Sequence, residues 1–134
     1  MLKTTNYQLN KPEGTDPVRV DDFNENADVI DAALMSKAEI LLGTYSGNGE
    51  DYQDIVLGYK PRFILVWVPE NGFQGNDRSA YWGMAAGTLY PMMNKHPVVQ
   101  LTETGFRVFY YYGSSENYYI YTNATGTHSY LAIL

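Results

Sequence analysis

Cysteine is missing from the chain altogether. That excludes a disulfide framework and any thiolate metal site, so stability has to come from packing or assembly. Positive charge is scarce as well: nine Lys and Arg against fifteen Asp and Glu leave a formal net charge of −6. A phosphate backbone is ordinarily gripped by clustered Lys and Arg, so nucleic acid is not an expected partner. No run of about 20 apolar residues occurs, and the opening MLKTTNYQLN lacks the apolar core of roughly 7–15 residues that a secretion signal carries. The expectation is synthesis as a soluble cytoplasmic product, without a signal peptide and without membrane insertion. A role outside the cell would then need lysis or assembly into a larger particle.

Catalytic motifs are absent too. The sequence holds no nucleophile elbow, no phosphate-cradling glycine loop and no H-E-x-x-H metal motif. His96 reads as a loop residue before Pro97, and His128 as the start of a strand. Glycosidases need two carboxylates at a fixed separation across the sugar. The candidates Glu50, Asp51, Asp54, Glu70, Asp77, Glu103 and Glu116 fall nearly all in expected turns, where they keep loops soluble. The chain therefore reads as a non-enzyme with no cofactor and no metal.

What is present is enough to fold. The 134 residues are 45% hydrophobic, which suits one ordinary domain with an appendage. Composition changes near Gly43: eighteen of the twenty aromatic residues follow it, and only Tyr7 and Phe23 precede it. The expected division is an N-terminal attachment arm and helix over residues 1–43 and a β head over residues 44–134. From Thr4 to Val20 two prolines and several turn formers suppress any periodicity, which predicts an extended arm ordered only against a partner. Asp21 or Asp22, with Glu25 following, offers a capping-box start to a helix running from Asp22 to Leu42. Its apolar residues Phe23, Ala27, Ile30, Leu34, Ala38 and Leu41 recur close to the 3.5-residue repeat of a coiled-coil seam. Such a stripe asks for partner helices, and spacing alone does not choose between two and three.

Beyond Gly43 the pattern is one of strands. RFILVWV, Arg62 to Val68, is apolar on both faces and predicts a central strand. A long loop from Pro69 to Ser79 leads to a short strand at Ala80 to Met84. The last third reads as a four-strand meander: Val98 to Thr102, then Phe106 to Tyr112 after a Glu103-Thr104-Gly105 turn with left-handed Gly105, then Asn117 to Thr122 and His128 to Leu134. Asn123-Ala124-Thr125 reads as a turn rather than a glycosylation acceptor. The fold class expected is mainly β: an extended arm and short coiled-coil helix, then an antiparallel β-sandwich with Phe63, Leu65, Trp67, Val108 and Leu131 in its core.

Tyrosine is the unusual abundance. Twelve of thirteen lie beyond Gly43, including Tyr110-Tyr111-Tyr112 and Tyr118-Tyr119-Ile120-Tyr121. Alternation puts Tyr110 and Tyr112 with Phe106 and Val108, Tyr111 with Phe109, and Tyr119 with Tyr121 opposite Ile120. Tyrosine suits sheets in general, but so many rings exceed what one small core encloses, and a flat ring with a hydroxyl suits sugars and half-wet interfaces. The ligand site expected is Asn76, Asp77 and Arg78 in the loop, Tyr81 and Trp82 at its exit, and Tyr111 and Tyr119 in the aromatic hairpin.

TTNYQLNKPEGTDPVRVDDFNENADVIDAAL, residues 4–34, resembles the opening of tail-fibre and related tail proteins of phages and prophages of Gram-positive bacteria. There a segment N-Y-x-L-x-K-P-E-G-T-D and then D-F-N-x-N-x-D-x-I-D leads into a helix. More loosely, G-x-Y-x-G-N-G at residues 43–49, I-x-L-G-[YF]-x-P at 55–61 and T-x-x-G-F-x-V at 102–108 are similar to C-terminal modules of such fibres. The resemblance implies a homotrimer, oligomerised through Phe23, Ala27, Ile30, Leu34 and Leu41, and docked on tail or baseplate proteins by its N-terminal segment. It implies an adhesin of a virion or phage-tail-like particle, acting on a bacterial surface glycan or protein. The alternatives are a structural tail component with no receptor of its own and a glycan-degrading tail enzyme.

Overall fold

The computed structural model describes residues 1–134 except Phe73, Gln74 and Asp77, and of Gly75 and Asn76 it describes the backbone alone. Among the described residues the chain is mainly β, with largely antiparallel sheets and a single helix. It divides into two compact units, Met1–Ala38 and Glu39–Leu134.

In the first unit, β1 (Leu2–Lys3) pairs with β2 (Asn10–Lys11), and α1 spans Val20–Met35. The segment before the helix is tied to its own chain, which corrects the expectation of an arm ordered only by a partner. The Asn10 N–H donates to Asn26 Oδ1 at 2.5 Å, Asn26 Nδ2 donates back to the Asn10 carbonyl at 2.9 Å, and the Asn10 amide donates to Glu25 Oε2 at 2.6 Å. That last bond explains a second correction. The capping box does not form, because Glu25 is engaged by Asn10; Arg19 is the N-cap, in extended conformation and without a side-chain cap bond. Asp21 and Asp22 lie in the first turn instead, where negative charge suits the helix dipole.

The helix also ends earlier than its apolar spacing predicts. Ser36 caps it, and Ile40 already begins a strand, so Leu41 is not a seam residue. Ile40-Leu41-Leu42 satisfies a helical and a strand pattern alike, and eight consecutive cross-strand pairings, from Ile40 with Ile133 to Gly47 with Gly126, decide for the strand. Leu41 packs half-buried against the core of the second unit.

The second unit carries β3 (Ile40–Gly47), β4 (Tyr52–Val56), β5 (Phe63–Trp67), β6 (Gly75–Asn76), β7 (Ser79–Ala80), β8 (Trp82–Ala86), β9 (Met92–Met93), β10 (His96–Pro97), β11 (Val99–Thr102), β12 (Gly105–Phe109), β13 (Tyr111–Gly113), β14 (Tyr118–Ile120) and β15 (Gly126–Ile133). One sheet runs β3-β15-β5-β8, a second β11-β12-β4, and a third β13-β14-β7-β6, in which β14 and β7 are parallel. The expected meander is thus corrected: β15 leaves its sequence neighbours and inserts between β3 and β5. The β11–β12 turn has two residues rather than three, since Thr102 pairs with Gly105. Gly105 is needed for closeness and not for handedness, because a Cβ there would lie 2.0 Å from the Ile55 carbonyl oxygen.

One core joins the first two sheets. Tyr45, Ile64, Val66, Ala85 and Ala132 come from the first, and Val99, Phe106 and Val108 from the second. On β5 the buried face is therefore Ile64 and Val66. Phe63, Leu65 and Trp67, with Leu131 beside them, were expected in the core and are half-buried on the other face. Of the expected core residues Val108 is fully enclosed.

Candidate functional site

Three short strands set the site. The parallel pairing of β14 with β7 aligns Tyr119 with Ser79 and Ile120 with Ala80, and Tyr121 N–H donates to the Ala80 carbonyl at 2.9 Å. Alternation then sorts the side chains: Tyr118 and Ile120 are buried, whereas Tyr119 and Tyr121 stay half-exposed on the opposite side. Tyr81 stacks on Tyr121, with centroids 4.8 Å apart and planes 16° off parallel. Tyr119 lies 6.1 Å beyond Tyr121 at 15°, and Tyr112 is 4.9 Å from Tyr119. Four rings, two from strands β13 and β14 and two from the residues that follow β7 and β14, thus form a continuous row, with Tyr110 flanking Tyr121 at 6.3 Å.

At the Tyr81 end the row opens into a cleft of about 500 Å³. Val68, Pro69, Glu70 and Asn71 line one part of it, and Ala124, Thr125, Gly126, Thr127 and His128 another, with Tyr81 and Tyr121 completing the wall. Burial pushes the Tyr121 phenol above its usual range, and the crowding by Tyr81, Tyr112, Tyr110 and Tyr119 adds to it. The hydroxyl therefore stays a neutral donor and acceptor well into alkaline solution. The turn behind the cleft is held by Asn123, which is fully buried and donates to Asn48 Oδ1 at 2.7 Å and to the Glu50 carbonyl at 2.8 Å. His128 Nε2 sits 2.7 Å from the Ala124 carbonyl, and its ring stacks on Tyr45 at 5.0 Å.

Of the residues singled out in the sequence, Tyr81 and Tyr119 belong to this row. Tyr111 does not: it stacks on His96 at 4.1 Å and on Tyr118 at 5.0 Å, beside a second hollow of about 330 Å³. The expected partition of the three tyrosines fails at Tyr110, where the strand breaks between β12 and β13. Trp82 pairs with Trp67 across β5 and β8, on the half-buried face of the first sheet. Arg78 is exposed, and its carbonyl accepts the Tyr119 N–H at 2.6 Å. Asp77 lies outside the described residues, as does the side chain of Asn76. Asn71 begins the loop expected to contact ligand, whereas Tyr121, Glu70, Thr125 and Thr127 are not among the expected site residues; the alternation of Tyr119 with Tyr121 pointed toward the row.

Two apolar surfaces lie apart from this row. On α1, Phe23, Ile30 and Leu34 are 58%, 44% and 61% exposed, and Ala27 is exposed with them. On the first sheet, cross-strand pairing places Ile40, Ile133, Phe63 and Ala86 in one row, Leu42, Leu131, Leu65 and Met84 in the next, and Thr44, Ser129, Trp67 and Trp82 in a third. None of these twelve positions is ionisable, and Leu42 is 74% exposed.

Among the described residues no group of His, Asp and Glu is arranged to hold a metal ion, and no helix is long and apolar enough to cross a membrane. No protein-family model matches the chain, and no curated protein or solved structure is similar to it.

Proposed function

We propose that this chain is a non-enzymatic adhesin of the tail-fibre type, which attaches a phage or phage-tail-like particle to a bacterial surface glycan. The observation that carries the reading is the row Tyr81, Tyr121, Tyr119 and Tyr112. A row of four rings that touch one another, lie half-exposed or exposed, and end in a cleft presents apolar ring edges and hydroxyls together at the surface. The resemblance of residues 4–34 to tail-fibre openings supports the particle assignment. The Asn10–Asn26 bracket gives that motif a physical purpose, fixing the attachment segment to its own helix.

The same reading makes the head a β-sandwich, with its first two sheets closed on the Ile64–Phe106 core, and the protein a homotrimer bundled through Phe23, Ala27, Ile30 and Leu34. Support for assembly comes from the exposed stripe on α1, since soluble monomers rarely leave such a stripe in water. A helix of this length is marginal alone, which again favours partner helices. Avidity across three heads would raise the strength of a weak single site.

The test is retention of the full chain on cell walls from a panel of Gram-positive bacteria, with light scattering on the same sample. The reading expects wall binding and a trimer; a monomer, or no retention on any wall, contradicts it. A second reading, a structural tail component, is favoured by the twelve non-ionisable positions on the first sheet, which would bury against neighbouring subunits. It expects binding to tail proteins and none to walls.

A further inference from the structure

We infer that the cleft at Tyr81 and Tyr121 takes an uncharged, hydroxyl-rich glycan and rejects phosphate-bearing and uronic-acid polymers. This rests on the adhesin reading above and specifies the chemistry of its receptor. Stacked rings alone would accept any flat apolar ligand, so the discrimination has to come from the polar groups around them. Those are the Glu70 carboxylate, the Asn71 amide and the hydroxyls of Thr125 and Thr127. A carboxylate accepts hydrogen bonds from two hydroxyls at once, an amide both donates and accepts, and hydroxyls do either. That inventory matches the hydroxyl and acetamido groups on the rim of a sugar ring whose face lies on a tyrosine.

The charge pattern points the same way. Among the described residues no Lys or Arg lines the cleft, and Glu70 contributes a negative charge there. Anion sites are built from guanidinium groups, ammonium groups or helix N-termini. Among the described residues none of these lines the wall, and the His128 ring that does is buried, with Nε2 at the Ala124 carbonyl and the ring stacked on Tyr45. Two of the basic residues of the head are occupied elsewhere: Arg107 holds Asp54 through paired bonds at 2.6 and 2.8 Å, and Lys60 holds Glu103 at 2.6 Å. With a net charge of −6 over the chain, a polyanion would approach against the overall field as well as against Glu70. The rings of Tyr81, Tyr121 and Tyr119, at successive separations of 4.8 and 6.1 Å, continue the apolar, hydroxyl-edged surface beyond the cleft and suit a chain of linked residues.

The experiment measures retention of the full chain on bacterial cell walls at low and high salt, with soluble neutral wall polysaccharide, poly(glycerol phosphate) or a polyuronic acid as competitor. The neutral polymer should compete and neither charged polymer should. Affinity should change by less than about twofold between roughly 50 and 500 mM salt, because no charge pair is screened. Tyr81→Ala with Tyr121→Ala should weaken retention by about tenfold or more, as loss of aromatic packing does. Thr125→Trp, at an exposed position, should block the cleft without removing a ring from the fold. Competition by either charged polymer, or a steep loss of binding with salt, overturns the inference while leaving adhesion standing. Wild-type retention by both cleft variants does the same. Absence of any binding by the unmodified chain overturns both.

Discussion

Tyr45 and Tyr121 carry the same side chain in two parts of the head and do opposite things. Tyr45 is sealed in the core between the first two sheets, its ring edge-on to Phe106 at 5.6 Å and its hydroxyl donating to the Thr122 carbonyl at 2.6 Å. Tyr121 is half-exposed, packed chiefly against other tyrosines, and set at the lip of a cleft. The first arrangement uses the ring for volume and satisfies its one polar atom internally. The second half-buries the ring among other tyrosines at the lip of a cleft. Alternation alone sorts sheet tyrosines into inner and outer ones, so what sets the surface row apart is that its rings gather against one another beside a cleft.

The comparison can be broken first at its core side. Phe106 is fully enclosed between Tyr45 and Tyr130, and Phe106→Ala should cost about 3–5 kcal/mol, seen as a large drop in denaturation midpoint. A loss below about 1 kcal/mol would mean that the two sheets do not share a core. Asn123→Ala should come next, at about 2–3 kcal/mol, because it strips Asn48 and the Glu50 carbonyl of their buried partner. It should also loosen the cleft, whose turn it anchors.

Tyr45→Phe is smaller, about 1 kcal/mol for the lost bond to Thr122, and it carries a pH signature. Burial raises the Tyr45 phenol above its ordinary value of 10.0, so the folded state resists an ionisation that the unfolded chain undergoes freely. Its contribution is whole below about pH 10 and is lost as pH climbs beyond it. The unmodified head should therefore weaken above pH 10, and the Phe variant should weaken less steeply; identical alkaline limbs would place Tyr45 in water. At the bottom of the scale stands Tyr112→Ala, at a ring 61% exposed, which should shift stability by no more than about 0.5 kcal/mol. A larger loss would assign Tyr112 to the fold and shorten the surface row.

How far this division was legible in the sequence depends on the range of the interaction that decides it. The opposition of Tyr119 and Tyr121 to Ile120 follows from local alternation, and it holds. The pairing of Tyr81 with Tyr121 does not follow, because it depends on β14 lying parallel to β7, a long-range choice without a local signal. Strand β5 could be read as central, yet Ile64 and Val66 could not be told from Phe63, Leu65 and Trp67, since both sets are apolar and only the partner sheet selects the inner one. Leu41 was misplaced for the same reason: its spacing fits a helix seam, and β15 overrides it. Gly47 and Gly105 pack tightly against the Ala124 and Ile55 carbonyls, so each marks a close backbone approach within the head.

The central claim is that the surface rings bind while the buried rings fold, and one paired measurement reaches it most directly. Wall retention and thermal midpoint would be recorded together for Tyr45→Phe and for Tyr81→Ala with Tyr121→Ala. The account predicts a crossing: the Tyr45 variant melts earlier and is retained like the unmodified chain, whereas the double variant stays folded at the assay temperature and is no longer retained. Retention that follows the midpoint in both variants, or a folded double variant that still holds to the wall, would contradict it.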